Sequence, residues 1–126
     1  MSLETPITHP RVLNKKTDGV PRDAVYIGRP SIWGNAFQIG RDGDRRAVIA
    51  KHRAWLKSQS VLLASIGELA GRDLVCFCAP LACHGHTLLW LANPDLRDLA
   101  LWPESLRPAL AGLEDLVAAA NAHAPL

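Results

Sequence analysis

The sequence predicts an α/β fold: one small, three-layer-like domain with a short, mostly parallel sheet of about three or more strands flanked by helices. Three observations carry this. The chain has 126 residues, 48% hydrophobic and 21% charged, which is ordinary globular composition and enough chain to bury a core without disulfides or metal. Three short runs rich in β-branched and apolar residues, RVLN, AVYI and DLVCFC, lie early and mid-chain, with helical periodicity between and after them. The third run is almost continuously apolar, as in a strand covered on both faces. No repeat or linker divides the chain. Residues 1–126 therefore read as a single domain, with a loose arm over 1–10, a core over 11–92 and C-terminal helices over 93–126.

The elements follow in order. Arg11–Asn14 is a short strand. Lys15–Asp23 is polar, holds Gly19 and Pro21, and reads as loop. Ala24–Ile27 is a second strand ended by Gly28. Arg29–Asp42 has no clear period and reads as a long loop, a kind of segment that often carries function. Gly43–Ser58 is a helix capped by Asp42 or Asp44, with Val48, Ile49, His52, Trp55 and Leu56 in one stripe. Ser60–Ala70 is a second helix, with Leu62, Leu63, Ile66 and Leu69 inward and Gly71 as its stop. Asp73–Cys78 is the third strand, and His84–Ala92 a third helix. Asn93 and Pro94 suit the N-cap and first position of a short helix. Pro103 opens a last helix to about Ala122, with Leu106, Leu110, Leu113, Val117 and Ala120 inward and Trp102 as a staple at its start.

Charge excludes little. The net charge is +2, too small to argue for nucleic-acid binding by itself. The distribution says more. The lysines and arginines crowd between Arg11 and Lys57, and only Arg72, Arg97 and Arg107 follow, so an anionic ligand would find its counter-charges in the first half. The plain alternative is a solvated helix face. Met1–Pro10 has no apolar run, so no secretory leader is expected, and no apolar stretch is long enough to cross a bilayer. Three bunched cysteines make a poor disulfide framework and fit a reducing, cytoplasmic setting.

Two segments carry chemistry. CFCAPLACHGHT (76–87) holds all three cysteines and two of the five histidines. On a strand, Cys76 and Cys78 share a face, with Phe77 opposite. The chain turns at Pro80 and enters a helix at Cys83 or His84, beyond the carboxyl end of a sheet strand, where open α/β sheets bind ligands. Three readings stay open. Cys76, Cys78 and Cys83 with His84 or His86 would hold zinc or iron. Cys83, its thiolate favoured by the helix N-terminus, would act as a nucleophile with His84 or His86 as acid or base, the helix start and Gly85 offering N–H groups to an anion. Or the cysteines simply pack the turn.

YIGRPSIWGNAF (26–37) is the second segment. Gly28 permits a sharp turn after the strand, and Arg29 can clamp a phosphate or carboxylate there. Ser31 adds a hydroxyl. Trp33, next to Gly34, offers a flat face for a base, and Asn35 a donor and an acceptor for a base edge. The plain alternative is that Trp33 and Phe37 anchor a long loop. His52, on its apolar stripe, reads as a satisfied half-buried histidine.

Together the segments resemble a family described as a domain of unknown function, number 4326, found in bacteria and their phages. Its members carry V-Y-I-G-R-x-S-x-W-G-N-P-F and C-W-C-x-P-x-x-C-H-G, which read here VYIGRPSIWGNAF and CFCAPLACHG. VLN also looks like the family's opening strand. The resemblance covers residues 11–92. It maps the motif onto Tyr26, Gly28, Arg29, Ser31, Trp33, Gly34, Asn35, Phe37, Cys76, Cys78, Pro80, Cys83, His84 and Gly85. Ala36 replaces the usual proline, Phe77 a tryptophan, and His86 a frequent aspartate. The family implies no activity. The residues are expected to bind a small anionic or nucleotide-like ligand with a flat ring (a nucleotide, nucleoside or modified base), with transfer or hydrolysis as the reaction. The other readings are a non-catalytic metal-binding or nucleotide-sensing module and a nucleic-acid-binding accessory protein. Oligomeric state leaves no mark in the sequence.

Overall fold

Three parallel strands build the sheet, in the order β1-β3-β2: β1 (Val12–Asn14), β2 (Val25–Tyr26) and β3 (Leu74–Cys76). The computed structural model describes residues 9–123; of the arm expected over 1–10, residues 1–8 lie outside them. The centre of the sheet is β3. Leu74 stands level with Val12 and Val25, and Val75 with Leu13 and Tyr26. All three β3 residues are buried, as its unbroken apolar run requires.

Helices flank this sheet: α1 (Lys15–Asp18), α2 (Arg45–Lys57), α3 (Ser60–Ser65), α4 (His84–Ala92) and α5 (Glu114–Ala122). Asp44 caps α2 through the Ala47 N–H at 2.8 Å. Val48, Ile49, His52 and Leu56 form its buried stripe. Trp55, expected in that stripe, is 36% exposed at its edge. One buried cluster joins Val12, Ile27 and Leu74 to Leu88 and Leu89 of α4 and to Leu110, Leu113 and Leu116 near the C-terminus.

Four other expectations shift. The polar stretch after β1 begins with the single turn α1. Asn14 starts it, accepting from the Lys16 N–H at 2.9 Å, and Asp18 closes it by accepting from the Asn14 N–H at 2.9 Å. The helix expected over Ser60–Ala70 tightens into a 3₁₀ turn at Ile66–Leu69, while Leu63, Ile66 and Leu69 still face inward. The third strand stops at Cys76 rather than Cys78. The long last helix is broken into a 3₁₀ segment, Glu104–Ala109, and α5. Pro108 lacks the N–H that an α-helix needs, and Gly112 sits at φ +73°. Trp102 is a core anchor, buried, with its Nε1–H on the Leu96 carbonyl at 2.9 Å.

The first turn of α4 lies directly on the sheet. A Cβ on Gly85 would come within 2.8 Å of Ile27 Cδ1 and 2.9 Å of Val12 Cγ2. Gly85→Ala is therefore expected to lower stability by about 1–3 kcal/mol through overpacking, read from the urea-unfolding midpoint. Wild-type stability in that variant would show that the helix can back away freely.

Candidate functional site

Both motif loops leave the carboxyl ends of adjacent strands, β2 and β3, and between them lies a cleft of about 480 Å³. Gly28 and Arg29 come from the first loop, Cys76, Cys78, Cys83 and His84 from the second segment, and Arg45, Val48 and Ile49 from α2. Each loop carries a cis proline bond, Arg29–Pro30 and Ala79–Pro80.

The Cys/His segment is held from three directions. Asn14, at the end of β1, donates from Nδ2 to the carbonyls of Phe77 (3.2 Å) and Ala79 (3.0 Å). Arg45 donates to the Ala82 carbonyl at 3.0 Å. The start of α4 has a reciprocal cap: the Gly85 N–H points at Cys83 Sγ (3.3 Å), and the Cys83 N–H donates to His86 Nδ1 (3.1 Å). The three Sγ atoms then lie within 4.8 Å of one another, with Cys76 and Cys83 at 3.3 Å. All three cysteines are free.

Of the three thiols, Cys78 is held the most acidic. The Cys76 and Cys83 thiols facing it, with Arg45 beside them, hold its proton affinity far below the ordinary thiol value. Cys83 is pushed well up by Cys76, Cys78 and burial, and Cys76 is raised chiefly by Cys78. Cys83, expected as the nucleophile, is only 3% exposed, whereas Cys78 is half-buried at the cleft. The field of one helix terminus is outweighed by two neighbouring sulfurs.

The histidines part ways. His84 Nε2 lies 2.9 Å from the Ile27 carbonyl; a carbonyl only accepts, so Nε2 carries a proton. Burial lowers its proton affinity, and the Ile27 carbonyl works against that. His84 lines the cleft; His86 does not. His86 packs edge-on against Trp102 at 6.3 Å, is held neutral by burial with a pKa of about 4, and acts as a cap.

The first loop also divides. Arg29 is exposed at the cleft wall. Trp33 is 5% exposed within the core cluster and does not line the cleft, so it leaves no face for stacking. Asn35 lines the cleft but binds backbone, donating to the Val48 carbonyl (3.1 Å) and accepting from the Phe37 N–H (3.0 Å). Ser31 Oγ is buried without a partner. Gly34 passes so close to the Gly28 and Ser31 carbonyls that a Cβ would sit 3.2 Å from each. A Cβ on Gly28 would run into the Tyr26 ring. Pro80 is exposed on the turn, and Ser31, Gly34, Pro80 and Gly85 all lie outside the cleft lining.

The sequence reading missed Arg45, Asn14 and the cleft's aromatic walls. Phe37, Phe77 and Tyr26 line the cleft. Phe77 is 48% exposed and meets the Tyr26 ring edge-on at 6.2 Å, with Lys15 Nζ 4.9 Å from the Tyr26 centroid. Helical phase alone puts Arg45 one turn before Val48 and Ile49, the signal that could have found it.

A family described as "Domain of unknown function (DUF4326)" matches residues 11–94. The chain belongs to this family. It is also 32% identical over 93 residues to the "Uncharacterized 12.4 kDa protein in nrdA-td intergenic region" of Enterobacteria phage T4, a match covering 70% of this chain and 82% of that protein. No solved structure matches. Among the described residues no helix is long and apolar enough to cross a membrane. In this DUF4326 domain His86 stands where the resemblance places a frequent aspartate. The imidazole accepts the Cys83 N–H as a carboxylate at that helix position would, which assigns the position to capping.

His52 departs most from its expected role. It is 1% exposed, not half-buried, and neither ring nitrogen has a partner. Its ring meets that of His84 edge-on at 5.0 Å. Burial, then His84 and Arg53, pushes its pKa from 6.5 down to about 3. Between those values the unfolded chain binds a proton that the folded chain refuses. Stability is thus full above pH 6.5 and falls by up to about 1.4 kcal/mol per pH unit on acidification, until the folded pKa is reached. His52→Leu should flatten that loss, so that between pH 7.5 and 5 its urea midpoint drops less than the wild-type midpoint. Equal drops would clear His52 as a source.

Proposed function

We propose that the cleft binds a small anionic ligand with a flat ring, of the nucleotide, nucleoside or modified-base class, and that the protein transfers or hydrolyses a group on it in the cytoplasm. One observation carries the ligand class: among the described residues lining the cleft, Arg29 and Arg45 are present and no aspartate or glutamate is. Arg45 also stands beside Cys78, the thiol whose proton is held least tightly. A volume of about 480 Å³ suits a nucleotide-sized molecule. Phe77 and Phe37, rather than Trp33, offer the ring faces for stacking. Support for a reaction comes from Cys78 and His84, a sulfur nucleophile and an imidazole that both line the cleft. The free thiols suit the reducing compartment.

Titration calorimetry with a panel of nucleosides and mono-, di- and triphosphates tests this reading. A phosphorylated member should bind better than its nucleoside. Arg29→Ala should weaken that binding by about tenfold or more, since a charge-assisted hydrogen bond contributes about 1.5–3 kcal/mol. No heat from any member at millimolar concentration would overturn the reading. Binding only to DNA or RNA, steeply weakened by salt, would replace it with the nucleic-acid reading.

A further inference from the structure

We propose that Cys76, Cys78 and Cys83 form a three-thiolate site for a single zinc ion whose fourth coordination position opens into the cleft. The geometry comes first. Tetrahedral zinc with Zn–S bonds of about 2.3 Å holds its sulfurs about 3.8 Å apart. Here all three lie within 4.8 Å, and one pair is at 3.3 Å, so shifts of a few tenths of an ångström to about 1 Å complete the tripod. An iron–sulfur cluster must span several metal atoms and would hold its cysteines farther apart. This favours a single ion, and soft thiolates with tetrahedral spacing favour zinc.

The surroundings suit a thiolate site. Backbone N–H groups point at two of the sulfurs, Gly85 at Cys83 and Cys78 at Cys76, each at 3.3 Å. Such donors orient and stabilise metal-bound thiolates. Three sulfurs at this spacing repel strongly once more than one is ionised, and a dication removes that repulsion. Three thiolates and Zn²⁺ leave one net negative charge, and Arg45, fixed on the adjacent Ala82 carbonyl, stands next to it.

The fourth position is the informative part. Among the described residues no histidine, aspartate or glutamate joins the group. All three cysteines line the cleft. Three protein ligands with one position left to water or substrate is the arrangement of catalytic rather than structural zinc. The exchangeable ligand would be water or an anionic donor atom of the cleft's occupant, whether or not that occupant is a nucleotide.

The test uses the full chain, purified without chelators or a metal-affinity tag. Elemental analysis should find zinc at one per chain. Cys78→Ser, at the least buried ligand, should lose it while keeping the wild-type far-ultraviolet circular dichroism. His84→Ala should keep it. The cobalt-substituted protein should show thiolate charge-transfer bands, and its visible bands should move on adding azide. Metal-free protein that also binds no added zinc, or intact mass showing a Cys76–Cys83 disulfide as the stable form, would overturn the site. Loss of zinc in His84→Ala, or cobalt bands indifferent to azide, would overturn the open fourth position.

Discussion

The close seating of α4 on the ends of β1 and β2 governs everything around the site. Gly85 permits it, because any side chain there would meet Ile27 and Val12. With the helix that near, Cys83 comes back over Cys76, and His84 reaches the Ile27 carbonyl. The chain from Phe77 to Ala82 is held by Asn14 at its start and Arg45 at its end. The sheet has only three strands of two or three residues, so its stability depends on the helices packed against it. Here the helix that covers β3 also closes the cysteine cluster, so fold and site rest on the same contact.

That shared contact explains a division of labour inside the motif. Residues of similar appearance in sequence serve different ends. Trp33, Gly34 and Ser31 set the path of the first loop, while Arg29 alone of that group stands free at the wall. His86 caps the helix and His84 faces the cleft. Cys76 and Cys83 are buried, and Cys78 meets solvent. The cleft is lined by basic, aromatic and sulfur-bearing groups brought from a strand end, a helix face and a turn.

Much of this was legible in the sequence. The unbroken apolar run at β3, the periodicity of α2 and the start of α4 at His84 each follow from local pattern, and the two motifs mark the two walls of the cleft. What was not legible came from contacts between distant residues. Nothing in RVLN shows that Asn14 will hold the Phe77 and Ala79 carbonyls. Beside Gly34, Trp33 suits either a stacking face or a loop anchor; packing decides for the anchor by burying it, while Phe37, its expected partner in that role, lines the cleft. The last helix failed for a local reason that a closer reading of Pro108 and Gly112 would have shown. His52 looked satisfied by default, and its two unpartnered nitrogens emerge only in the packed interior.

Three sulfurs lining the cleft are proposed to act together on one ion and leave room for a ligand. X-ray absorption at the zinc edge of the zinc-loaded protein reads that arrangement. Three sulfur neighbours at about 2.3 Å and one lighter atom at about 2.0 Å are expected, with the lighter shell changing when the cleft is occupied. Four sulfur neighbours, which would require a second chain, or a shell of nitrogen and oxygen alone, would rule out the open three-thiolate site.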